Sequence, residues 1–154
     1  GLGAEDGIRV DAEGGTGIDR IHAAGDVAQQ FSRWHRRWMR IENWANAQNQ
    51  AIAVARAMLG EPYAYQAAPW FWSDQYDVKL QIAGLNTGYD RTVTRPGEGG
   101  ALSVWYYRGA TLLALDAMND ARAYMIGKRL IEAGRSPDPA LIADPATDLK
   151  ALLR

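Results

Sequence analysis

Three short stretches carry the residue types that could do chemistry. Gly25-Asp26 offers a carboxylate straight after a glycine, at the end of a short apolar run. A carboxylate accepts hydrogen bonds through two oxygens and binds hydroxyls or backbone N–H groups strongly. The same pair also reads as an ordinary turn, or as a cap on whatever follows Val27. Glu42-Asn43-Trp44 opens a helical pattern. A helix N-terminus there would favour an anion, and Glu42 reads equally well as a first-turn carboxylate serving the dipole. Pro69-Trp70-Phe71-Trp72-Ser73-Asp74-Gln75-Tyr76-Asp77 crowds rings and carboxylates together. Such a run either plugs a core from a loop or walls a planar ligand, since each ring can bury about 150–250 Å².

The elements that must position these residues follow from periodicity. Ile8-Arg9-Val10 and Ile18 to Ala24 read as short strands between glycine-rich breakers. Arg33, Arg36, Arg37 and Arg40 recur at helical spacing, with Trp34, Trp38 and Ile41 on another stripe. A helix there would carry a solvated basic face, or a docking face for an acidic redox partner. Nucleic acid is disfavoured by the net charge of -1. From Asn46 to Leu59, Ala47, Ala51, Val54, Ala55 and Met58 mark a buried helical stripe that Gly60 and Pro62 end.

Tyr63 to Pro69 reads as a linker, so residues 1–62 and 63–154 are expected to be separate domains. Val78, Leu80 and Ile82 mark a half-buried strand, and Arg91 to Arg95 another. Leu102 to Tyr107 and Thr111 to Ala117 flank Gly109 as a hairpin. Ser103, Trp105 and Tyr107 share one face of it, as packing. Asn119 is placed as the cap of a helix buried through Ala123, Ile126, Gly127, Leu130 and Ile131, which Gly134 stops. Leu149, Leu152 and Leu153 give a short terminal helix one apolar edge. The expected class is α+β: an antiparallel sheet with helices on one side, preceded by the last strands and helix of an α/β domain.

With 154 residues and 47% hydrophobic content, the chain can bury one domain core, or one domain plus part of another. It has no cysteine, which excludes disulfides and thiolate-ligated metals, and its histidines, His22 and His35, make no metal cluster. No apolar run is long enough for a membrane helix and no signal peptide opens the chain, so a cytoplasmic location is expected by default. No Gly-x-Gly-x-x-Gly loop occurs, and no nucleophile–base pair can be nominated.

Phe71-Trp72-Ser73-Asp74 followed by Leu80-Gln81-Ile82-Ala83-Gly84-Leu85 closely resembles the C-terminal region of FAD-dependent ferredoxin reductases. These are the reductase components of Rieske dioxygenase and cytochrome P450 systems, relatives of the apoptosis-inducing-factor flavoproteins. The resemblance extends through Ile21 to Ala28, Arg40 to Gln48 and Leu115 to Asn119, in family order. It implies that the chain is the last part of such an enzyme: the end of an FAD-binding domain, then the small C-terminal domain. It implies hydride transfer from NADH or NADPH to FAD, followed by electron transfer to an iron–sulfur ferredoxin. Gly25 and Asp26 would meet the ribityl chain. The helix opened by Glu42, Asn43 and Trp44 would face the pyrimidine end of the flavin, with Glu42 and Trp44 on the nicotinamide side. Trp72 would face the ring. Hydride transfer belongs to the cofactors, so no catalytic residue is assigned. The chain alone, without either phosphate-binding loop, is expected to be inactive. The competing expectation is a non-enzymatic interaction or dimerisation module that self-associates through an exposed edge.

Overall fold

The computed structural model describes residues 6–33, 35–61, 63, 65 and 68–154. Trp34, Pro62 and part of the Tyr63 to Pro69 linker, which the sequence reading used, lie outside them. The chain divides into two units, Gly1–Ala67 and Ala68–Arg154.

In the first unit, β1 (Ile8–Arg9) runs parallel to β2 (Ala28–Ser32), which pairs antiparallel with β3 (Arg37–Arg40). Val10, Ala28, Met39 and Ile41 are buried, as are Ala45, Ala53 and Val54 of α1 (Trp44–Met58). The helix starts where Asn43 Oδ1 accepts the Asn46 N–H at 2.7 Å, and stops at Gly60 with φ +78.

Several expectations for this unit are corrected. Arg33 to Arg40 is not a helix: Arg36 turns the chain at φ +52 between β2 and β3. The helical spacing of the arginines is coincidental across that turn. The aromatic contact that forms is cross-strand, Phe31 edge-on to Trp38 at 5.8 Å. Ile18 to Ala24 is no strand either. Thr16 bridges the Ile18 N–H and the Ile21 carbonyl, Arg20 sits at φ +61, and only a single bridge, Gly15 to His22, remains. The stripe expected on α1 is rotated. Ala45, Asn46, Gln50, Ala53 and Val54 are buried, while Ala51, Ala55 and Met58 are exposed. Alanine on every face of this helix hides the direction of its core side.

In the second unit, five antiparallel strands lie in the order β4-β5-β8-β7-β6: β4 (Trp70–Gln75), β5 (Val78–Gly84), β6 (Arg91–Pro96), β7 (Leu102–Arg108) and β8 (Thr111–Met118). β4 is a strand rather than a loop. It pairs with β5 from Trp70–Ala83 to Gln75–Val78, and Tyr76 at φ +55 makes the turn between them. Trp105 pairs with Val93 on one side and Leu115 on the other, so these residues share one face with Ser103 and Ala117. That face is covered by α2 (Ala121–Glu132), whose Ala123, Ile126, Gly127, Leu130 and Ile131 are all buried as the periodicity predicts. Gly127 is required there: a Cβ would overlap Leu115 and come within 3.1 Å of the Trp105 ring.

The helix cap is Asp120, whose side chain accepts the Ala123 N–H, and not Asn119. Asn119 sits at φ +53 and is already engaged. Its Oδ1 accepts the Lys79 N–H at 2.8 Å and its Nδ2 donates to the Asp77 carbonyl. Beyond Gly134, a short helix α3 (Pro139–Ala143) and a terminal 3-10 turn (Leu149–Leu153) bury Ile142 and Leu149. The Arg95 guanidinium on β6 ties down the irregular segment between them, donating to the carbonyls of Ile142, Asp144, Pro145 and Thr147 at 2.5–3.0 Å. Among the described residues, no helix is long and apolar enough to cross a membrane.

Candidate functional site

The first unit brings Gly25, Asp26, Glu42, Asn43 and Trp44 together. Gly25–Val27 form a single 3-10 turn that packs on α1. Gly25 is buried at φ +75, a conformation costly for any residue with a Cβ, and its missing Cβ faces Ala47 at 3.5 Å. Asp26 follows on the exposed side of the turn, and its carboxylate has no hydrogen-bond or ion-pair partner among the described residues. It lies inside the turn and caps no helix.

Arg40 joins the parts. Its Nη1 donates to the Asp26 carbonyl at 2.9 Å, its Nη2 pairs with Glu42 Oε1 at 2.7 Å, and its Nε reaches Asp6 at 3.2 Å. One planar fork therefore holds the turn and the approach to α1 in a fixed relation. Glu42 precedes the cap residue and is neutralised by Arg40, so it does not serve the dipole as a first-turn acid. The first turn of α1 contains no acidic residue at all. Its positive end is left to Asn43, the cap, and to whatever anion or electron-rich group approaches. Trp44 stands at the first helical position, 62% exposed.

Trp72 belongs to the second unit. It lies on β4, 40% exposed, stacked on Trp70 at 5.5 Å and tilted against Phe71 at 6.4 Å. These rings are half-exposed on an edge strand, so they do not plug a core. Sequence reasoning missed Arg40 as a clamp, having placed it on a basic helical face. It also missed Gln30, Asn46 and Gln50. The available signal was a pair of amides, Asn46 and Gln50, one helical turn apart on an alanine-rich helix.

The described β2–β3 hairpin exposes Arg36 and Arg37 beside the Phe31–Trp38 pair, and the Arg9 guanidinium lies 5.2 Å from the Trp38 ring. The result is a basic, aromatic edge on the first unit.

Residues 70–153 match the family described as reductase C-terminal. The chain belongs to this family. Its relatives extend the likeness through the first unit. A ferredoxin–NAD(P)+ reductase from a Sphingomonas species is 40% identical over 97% of the chain, and the ferredoxin–NAD+ reductase component of an anthranilate 1,2-dioxygenase system from Burkholderia cepacia is 41% identical over 99%. Among solved structures, the covalent putidaredoxin reductase–putidaredoxin complex superposes with a TM-score of 0.92 at 36% identity over 99% of the chain. The reductase C-terminal chain spans only 37–38% of the length of these proteins.

Proposed function

We propose that the chain is the C-terminal part of an FAD-dependent NAD(P)H:ferredoxin oxidoreductase. Residues 1–62 would be the end of its FAD-binding domain and residues 63–154 its small α+β domain. The observation that carries this reading is the Arg40 fork, which holds the Gly25–Asp26 turn and Glu42 at the start of α1. The donor set suits a flavin. A glycine turn at φ +75 leaves Asp26 on its exposed side, an unengaged carboxylate can accept ribityl hydroxyls, and an acid-free helix N-terminus favours an electron-rich ring edge.

FAD, when bound, would supply the chemistry: it accepts a hydride from a nicotinamide and releases electrons one at a time. The protein's part is to bind and orient. In this reading Asp26 accepts from the ribityl chain, and Gly25, at φ +75, forms the turn that presents it. Glu42, Asn43 and Trp44 shape the polar end of the ring site. The relatives named above act with ferredoxins, and the basic hairpin edge at Arg36 and Arg37 has the charge to attract an acidic iron–sulfur protein.

The test uses the full-length protein that carries this sequence. Purified, it should show flavin absorbance that NADH or NADPH bleaches without oxygen. Asp26→Ala should weaken FAD binding by about 10-fold or more, the loss of a charged acceptor. A variant that holds FAD as tightly as the natural protein would remove the basis of the assignment.

A further inference from the structure

Gln50 is polar, yet it lies on the inner side of α1 and is only 2% exposed. Its Oε1 accepts the Gly25 N–H at 2.8 Å and Asn46 Nδ2 at 3.3 Å, while its Nε2 donates to Gln30 Oε1 at 3.4 Å. Gln30 Nε2 donates in turn to Asn46 Oδ1 at 3.4 Å. The three amides thus close a ring in which each donates to the next.

The oxygen and nitrogen ends of an amide are alike in shape, so something must set the direction of such a ring. Two main-chain anchors do. The Gly25 N–H can only donate, which turns Gln50 Oε1 toward it. The Ile41 carbonyl can only accept, and it takes Asn46 Nδ2 at 2.9 Å. Reversing any one amide would set two donors or two acceptors against each other in a buried place, at a cost no apolar contact offsets.

Packing does not require this arrangement, since leucine would fill the same face of α1 without any polar group. What the ring accomplishes is to grip one N–H, that of the residue before Asp26. Glycine at φ +75 also reaches many other conformations, so the turn needs a bond to select this one.

We propose that Gln50 is a positioning residue. Through the Gly25 N–H it fixes the Gly25–Asp26 turn against α1, and so determines where the Asp26 carboxylate stands. The proposal rests on the flavin reading of Asp26 given above, and Gln50 itself touches no ligand in it.

Gln50→Leu and Gln50→Glu in the full-length protein separate this role from plain packing. Glutamate, kept neutral by burial at this position, retains both roles, its carbonyl oxygen accepting the Gly25 N–H and its hydroxyl donating toward Gln30 Oε1, whereas leucine keeps only the volume. FAD titrated into the flavin-free proteins should bind about 10-fold or more weakly to Gln50→Leu, but within about 3-fold of the natural affinity to Gln50→Glu. Hydrogen–deuterium exchange of the peptide containing Gly25, in the flavin-free protein, should accelerate in the leucine variant and not in the glutamate one. Equal FAD losses in both variants, or none in Gln50→Leu while Asp26→Ala loses the cofactor, would overturn the proposal and leave the flavin reading standing. If Asp26→Ala also holds FAD normally, the flavin reading falls instead. The Gly25 exchange rates then still decide whether Gln50 holds the turn.

Discussion

Tyr106 and Tyr107 are neighbours in β7 but face opposite ways, and each reports on its own side of the sheet. The Tyr106 hydroxyl donates to Asp116 at 2.6 Å, and burial, together with that bond and charge, pushes its pKa up to about 12. Tyr107 donates to the Pro137 carbonyl, and burial with the Asp138 charge beyond it also raises its pKa to about 12. Both groups hold their protons more tightly folded than unfolded, where a tyrosine titrates near 10. Their contribution is therefore fully present below about pH 10 and is lost as pH rises from there toward 12. Denaturant melts followed at increasing pH should be flat up to about pH 10 and then fall, and the fall should shrink when Tyr106→Phe and Tyr107→Phe are combined. An equal fall in that double variant would contradict this. At the same scale, the sequence exposed Asp26 and Glu42 as candidates but not the residues that hold them. Arg40 and Gln50 act across 14 and 25 positions of chain. No local spacing encodes a bond of that reach.

Elements were legible where one force dominated. The β7–β8 hairpin follows from alternation around Gly109, and α2 from a stripe that has only one possible inside face. Where two patterns fit the same residues, the reading failed. Asn119 and Asp120 are both good caps, and only the pairing of Asn119 with Lys79 decides between them. The aromatics of β4 lack the polar alternation of a half-buried strand, because both faces of this edge strand are partly exposed. Gly84, at the end of β5, shows how tightly the central strands meet. It sits at φ +77, and a Cβ would run into the Leu113 carbonyl and come within 3.0 Å of Ala114 Cα. Since the obstacle is backbone, no rotamer can relieve it. Gly84→Ala should cost at least about 2 kcal/mol in urea unfolding. A loss below about 0.5 kcal/mol would show that the strands can part.

The two units differ in what they can sustain. The second buries Trp105, Tyr107, Leu115, Leu130 and Ile142 almost completely around a five-stranded sheet. The first has short strands, a two-residue β1 among them, and its helix spends inward positions on amides. Residues 68–154 expressed alone should therefore give dispersed amide resonances and one cooperative urea transition, as a domain of that size can. Residues 1–67 alone should not. Collapsed, poorly dispersed spectra from 68–154 would refute the division.

Arg95 adds a last point. It recognises the stretch from Ile142 to Thr147 through main-chain oxygens, which every amino acid possesses. A grip of that kind is blind to side-chain identity. Substitutions at Ala146 or Thr147 leave its acceptors in place, whereas replacing the single guanidinium removes every tether together. Among variants of this protein, tolerance should run high along the held strand of chain and vanish at the residue doing the holding.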